Sequence, residues 1–97
     1  MSRYHVTPRA ARDLAGIADR TLLQWGPSQM KAYMSGLEHR FRWLADHPKS
    51  GRPRDDVARS YRSFPEGRHL VFYKIVSDGI AIIGVLHQSM DPGAALD

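Results

Sequence analysis

"RHLVFYKIVSDGIAIIGVLHQSMD", residues 68–91, is an almost continuous apolar run, interrupted once at Ser77-Asp78-Gly79 and carrying a histidine near each end. Two such runs on either side of a turn signal read as the strands of a hairpin, residues 68–76 and 80–87. Just upstream, residues 58–64 also read as a strand and stop at Pro65-Glu66-Gly67. An antiparallel meander of three strands is therefore expected. Its last two strands are apolar on both faces, so either both faces are covered or one of them awaits a partner.

The hairpin register decides what the two histidines can do. If Ser77-Asp78-Gly79 forms a three-residue loop, Val76 pairs with Ile80, and His69 falls directly opposite His87 with Cβ atoms about 4.5–5.5 Å apart. If Asp78-Gly79 alone turns the chain, His69 faces Gln88 and the imidazoles point to opposite faces. Opposed imidazoles can serve as base and acid on a ribose hydroxyl and its leaving group, with Arg62 and Arg68 as cations around the phosphate. They can equally be framework residues at strand ends. A metal site would need further ligands, and the nearest acid, Asp91, lies beyond the strand without ligand spacing. No glycine-rich phosphate loop, GxSxG elbow, HExxH or suggestive carboxylate pair occurs. Neither a metal nor a cofactor is expected.

Before the meander the period changes to that of helices. Residues 4–6 read as a short strand; Thr7-Pro8 then offers a capping hydroxyl followed by a first-turn proline, and Trp25-Gly26-Pro27 a stop. Over residues 8–25, at about 100° per residue, Ala11, Leu14, Ala18, Leu22 and Trp25 share a stripe, with Ala15 and Thr21 at its margins. After a connection of two or three residues, residues 28–46 place Met30, Tyr33, Met34, Leu37, Phe41 and Leu44 on one face. Helices joined so tightly lie antiparallel. His47-Pro48 ends the second helix and KSGRPRDD follows as a polar, basic loop. Trp43 lies about 120° from the second helix's stripe, near Ala32, Gly36 and His39, either packed against the sheet or loop or displayed as a binding surface. The fold class is α+β: a short N-terminal strand and an antiparallel helical hairpin on an antiparallel sheet, in the order β-α-α-β-β-β.

The 97 residues form one expected domain, 1–97, large enough to bury a single core. The absence of cysteine excludes disulfides, redox pairs and thiol nucleophiles and suits a reducing compartment. MSRYHVTPRAA lacks an apolar segment of signal-peptide length, and no run is long enough to span a bilayer. A cytoplasmic location is expected. Fourteen Lys+Arg against ten Asp+Glu give a net charge of +4, which favours acidic partners without choosing between a polyanion and an acidic protein. Neither helix shows a basic stripe of the kind that reads DNA, so a DNA-binding module rests on charge alone.

Several stretches in order carry a resemblance: "YHVTPRAARDLAGI", "WGPSQMKAYMSGL", "LADHPKSGRPRDD", "SYRS", "HLVFYKI" and "VLHQSMD", together covering nearly the whole chain. Their order and spacing resemble the RelE/ParE toxin superfamily, and locally its ParE branch. The resemblance implies the toxin of a type II toxin–antitoxin module that inhibits DNA gyrase by binding, neutralised by a ParD-like antitoxin that wraps an extended, acidic segment around it. The RelE branch cuts messenger RNA on the ribosome with basic residues on the sheet and a basic and aromatic pair near the C-terminus. Here Arg62 keeps one basic position but is followed by Ser63 and Phe64. His69 and Gln88 stand where that branch has arginines, and DPGAALD has no tyrosine. Nuclease activity is therefore the alternative reading and no catalytic residue is assigned. Arg59, Arg62, Arg68, His87, Gln88 and Met90 are the expected target contacts, and Leu23 and Trp43 the expected antitoxin anchors. Sequence-specific nucleic-acid binding and membrane association are not expected; a second copy of the chain is a further candidate partner.

Overall fold

The computed structural model describes residues 3–96. The elements are β1 (Arg3–Val6), α1 (Pro8–Trp25), α2 (Pro27–Asp46), a 3-10 turn (Pro48–Ser50), β2 (Arg52–Pro53), β3 (Arg62–Glu66), β4 (His69–Val76), β5 (Gly79–His87) and α3 (Pro92–Ala95). β3, β4 and β5 form the expected antiparallel meander. β1 joins β5 in parallel and β2 adds to the far edge, giving a mixed five-stranded sheet of order β1-β5-β4-β3-β2.

The helical hairpin follows from its caps. Thr7 Oγ1 accepts from the Ala10 N–H at 3.3 Å, and Pro8 occupies a first-turn position whose missing N–H needs no partner. At the other end Gly26 alone connects α1 to α2, a tighter junction than the two or three residues expected. Its φ of 89° lies in the region that favours glycine, and its N–H bonds the Leu22 carbonyl at 2.9 Å.

α2 buries Leu37, Phe41 and Leu44 as its period predicts, with Ala45 beside them and Tyr33 and Met34 packed on the same cluster. α1 is rotated by one residue from the expected face. Ala10 and Ile17 are buried and Leu14 packs on the core, whereas Ala11 is exposed and Leu22 and Trp25 are 40% and 58% exposed. The expected stripe was weighted by the large residues of the last turn. The actual rotation is set at the first two turns, where Thr7 and Asp13 bond β5: Thr7 Oγ1 donates to the Ile82 carbonyl at 2.8 Å, and Asp13 Oδ2 accepts from the Val85 N–H at 3.0 Å.

Two strand boundaries also move. Residues 58–61, expected in the first strand of the meander, form turns: Tyr61 N–H bonds the Ala58 carbonyl, and Ser60, at a φ of 70°, donates its N–H to the Asp55 carboxylate. The strand runs on through Pro65 and Glu66, which were expected to turn. Proline is tolerated there because β2 pairs only with Arg62 and Ser63, so at Pro65 the strand has a free edge that needs no donor.

The β4–β5 hairpin follows neither expected turn. Val76 pairs with Gly79 across a two-residue turn at Ser77-Asp78, and Ile83 is then inserted as a bulge opposite the Phe72/Tyr73 step. The bulge shifts the later register by one residue and brings His69 opposite His87. Gly79 has no room for a side chain, because an added Cβ would fall 1.8 Å from the Arg3 carbonyl oxygen where β1 docks.

The core joins Val71, Tyr73, Ile80, Ile82 and Val85 of the sheet to the helical hairpin. Phe72 and Leu86 are also buried, with the Arg54 guanidinium 5.2 Å above the Phe72 ring, so both faces of the central strands are covered in their middle. Among the described residues no helix is long and apolar enough to cross a membrane.

Tyr73 ties this core to the connection after α2. Its ring is fully buried, its hydroxyl donates to the Pro48 carbonyl at 2.7 Å, and it accepts from the Gly51 N–H at 2.8 Å. Tyr73→Phe strands both backbone groups without a partner and is expected to destabilise the fold by ~1–3 kcal/mol. Urea unfolding should show a lower midpoint at an unchanged slope; an unchanged midpoint would mean that water replaces the hydroxyl.

Candidate functional site

A cleft of about 810 Å3 opens between α1, the first turns of α2 and the ends of β4 and β5. Its floor is set by the bulged hairpin. His69 opens β4 and His87 closes β5, and their rings meet edge to face with centroids 5.6 Å apart. Tyr33 reaches in from α2: its hydroxyl lies 2.5 Å from His69 Nδ1, donates to the Glu66 carbonyl at 3.3 Å and accepts from the Arg68 N–H at 3.2 Å. One phenol thus fixes the orientation of His69 and clamps the β3–β4 turn to the helical hairpin. Burial raises the Tyr33 pKa, so the hydroxyl stays protonated. On the opposite imidazole, Ser89 N–H donates to His87 Nδ1 at 3.2 Å, which leaves the proton of the neutral ring on Nε2.

The walls are basic. Arg12 and Arg20 line the cleft from α1 and Arg68 from the turn between β3 and β4. Arg12, Gly16 and Arg20 recur at intervals of four and share one face of the helix. α1 therefore carries a short basic row of two arginines, which is not the continuous basic stripe of a DNA-reading helix. Gly16 keeps that row open, since an added Cβ would lie 3.1 Å from the Arg20 guanidinium folded over it.

The expected target contacts separate into two groups. Arg68, His87 and Met90 line the cleft, and Gln88 is held beside it by its N–H to the Arg68 carbonyl at 2.9 Å. Arg59 lies in the turns before β3, and Arg62 is committed to structure, donating to the Gly51 carbonyl at 2.7 Å. The two expected antitoxin anchors also lie apart. Leu23, 87% exposed, is close to the helical junction, and Trp43 is about 24 Å further along α2 by helical rise. Trp43 packs against the sheet edge: its ring lies 5.3 Å from Phe64, stacks on His47 at 4.8 Å and carries the Arg40 guanidinium at 5.0 Å. Arg40 in turn pairs with Glu66 at 2.8 Å. Tyr33, Trp25, Arg12 and Arg20 are among the cleft residues not expected there from the sequence, Trp25 because its period places it on the core stripe of α1. Tyr33 was assigned to the core by its period, and only the four-residue spacing of Arg12, Gly16 and Arg20 signalled the two arginines.

Burial first, and then the positive charges of His87 and Arg20, hold the His69 pKa below its ordinary value of 6.5. The unfolded chain therefore binds a proton at His69 at a higher pH than the folded one. Stability is lost as pH falls from above 6.5 toward the lower folded value, below which the loss is complete. Thermal melts from about pH 7 to about pH 5 should show a smaller acid-induced fall in Tm for His69→Gln than for the parent chain. Equal falls would place the acid sensitivity elsewhere.

Three comparisons bear on this geometry. Residues 4–92 match the family model described as ParE toxin of type II toxin-antitoxin system, parDE. The chain is 37% identical over 91 residues to Toxin ParE1 of Mycobacterium tuberculosis, covering 93% of each, and 36% identical over 96 residues to Toxin ParE1 of Caulobacter vibrioides, covering 99% of each. The fold is shared with a solved chain of the chromosomal ParDE TA system from P. aeruginosa, at a TM-score of 0.75 and 18% identity, over 90% of this chain and 96% of that one. With the strand order, the helical hairpin and a family match spanning all but the extreme ends, the chain belongs to the ParE family of type II toxin–antitoxin toxins.

Proposed function

We propose that this chain, acting as one domain in the cytoplasm, inhibits DNA gyrase by binding it and is neutralised by a ParD-like antitoxin. Family membership over residues 4–92 is the observation that carries this reading. The residue inventory supports it. Where the RelE branch has arginines, this chain has His69, held by Tyr33, and Gln88, so two of the specific cationic donors of that nuclease set are missing. The gyrase contact is assigned to the end of the sheet that carries Arg68, His87, Gln88 and Met90; Arg59 and Arg62 lie away from it.

One observation favours the second reading, a ribosome-dependent ribonuclease: His69 and His87 face each other, with a phenol on one of them. The two readings part in a single pair of assays. Purified protein should block supercoiling by gyrase and leave ribosome-bound message intact. Cleaved message with unaffected supercoiling, abolished by His69→Ala or His87→Ala in a chain that still melts cooperatively, would establish the nuclease instead.

For the antitoxin, an acidic segment that folds on binding matches a toxin of net charge +4 with exposed apolar residues on its helices. Leu23 and Trp43 are assigned as anchors at the two ends of the helical hairpin, far enough apart to require an extended partner. Trp43→Ala is expected to weaken the toxin–antitoxin complex by more than ~1 kcal/mol in a calorimetric titration. Unchanged affinity would remove Trp43 from the interface and leave it as packing for Phe64 and His47.

A further inference from the structure

The cleft gathers positive charge without neutralising it. Arg12, Arg20 and Arg68 line it together with His69 and His87, and none of the three arginines has a carboxylate partner among the described residues. The one acid on its wall, Asp13, is already engaged: Arg9 Nε bonds its two oxygens at 3.2 and 3.3 Å, and the Val85 N–H takes Oδ2 at 3.0 Å. Like charges brought together repel: protonation of His69, opposed first by burial, is made harder still by His87 and Arg20. Such an arrangement is relieved by an anion seated among the cationic groups.

The form of the cleft narrows the anion's class. Trp25 stands at its rim, 58% exposed and five residues beyond Arg20, which is about 7.5 Å along the helix axis. A cationic groove flanked by an unpacked indole is the combination that holds single strands: guanidiniums take the phosphates, and the aromatic face takes a base without regard to its identity. A duplex keeps its bases stacked on one another and offers none to Trp25. An acidic peptide would use the arginines but has no general need of a flat aromatic platform.

We propose that this cleft binds single-stranded nucleic acid without sequence preference, seating a backbone phosphate among Arg20, Arg68 and the His69–His87 pair and stacking a base on Trp25. The inference goes beyond the gyrase reading and does not depend on it, because the binding is a property of the toxin alone.

The test is fluorescence anisotropy of the 97-residue chain with a labelled mixed-sequence DNA strand, an RNA strand of the same sequence, the DNA duplex and a poly-glutamate peptide. Either or both strands should bind, more tightly than the duplex or the peptide, and the comparison of DNA with RNA identifies the sugar preferred. Arg20→Gln and Arg68→Gln should each weaken strand binding several-fold. Trp25→Ala, which leaves the charge unchanged, should weaken it by about fivefold or more. Arg52→Gln, on the exposed far-edge strand β2, removes the same charge as Arg20→Gln and should change affinity less than about twofold, as expected for a distant, screened charge. Melting curves establish that each variant is folded. The proposal is overturned by absence of strand binding, by poly-glutamate or duplex binding as tightly as the strand, by Arg52→Gln matching Arg20→Gln, or by a folded Trp25→Ala that binds like the parent.

Discussion

The structure depends on how β5 is satisfied along its outer edge. β5 lies between β4 and β1, but β1 is only four residues long and pairs with β5 only from Gly79 to Ile82. Beyond that point the backbone of a buried strand would face nothing, which a folded protein does not tolerate. The start of α1 supplies what is missing. Thr7 donates to the carbonyls of Ile82 and Ile83 at 2.8 and 3.3 Å, and Asp13 accepts from Val85. Two short polar side chains thus replace a strand, and in doing so they fix both the position and the rotation of α1.

Much of the rest follows from that rotation. With Asp13 on the sheet edge, Ile17 four residues later enters the core, and the adjacent row of Arg12, Gly16 and Arg20 turns to the cleft. The large apolar residues of the last turn, Leu22, Leu23 and Trp25, are then carried outward. Asp13 also pairs with Arg9, so it does not serve as a counterion to the cleft arginines. Structural necessity at the edge of β5 and the electrostatic character of the surface beside it are one event.

The two ends of the helical hairpin differ in chemistry. Near the junction lies the cleft, with cationic walls, a histidine pair positioned by Tyr33 and an exposed indole. Near the end of α2 lies the Trp43 cluster, where an aromatic stack, a guanidinium and the Arg40–Glu66 pair close over the sheet edge.

The sequence by itself determined the order of the six main elements, the antiparallel helices, the buried face of α2 and the meander, because each is written in short-range signals: caps, prolines, glycine at a junction and apolar period; the two-residue β2, inside a stretch expected as loop, and the short α3 were not legible in it. It also carried the family, since the motifs lie in order along nearly the whole chain. Only the tertiary structure decided the rotation of α1, the parallel docking of β1 and the opposition of His69 to His87. The first two rest on bonds between residues more than seventy positions apart. The third rests on a bulge at Ile83 that compensates a two-residue turn, and local sequence does not distinguish that pairing from its neighbours. The cleft as a whole was illegible for the same reason: Arg12 and Arg20 come from α1, Tyr33 from α2, Arg68 from the β3–β4 turn and His87 from β5, and what they form together exists only once those elements are docked.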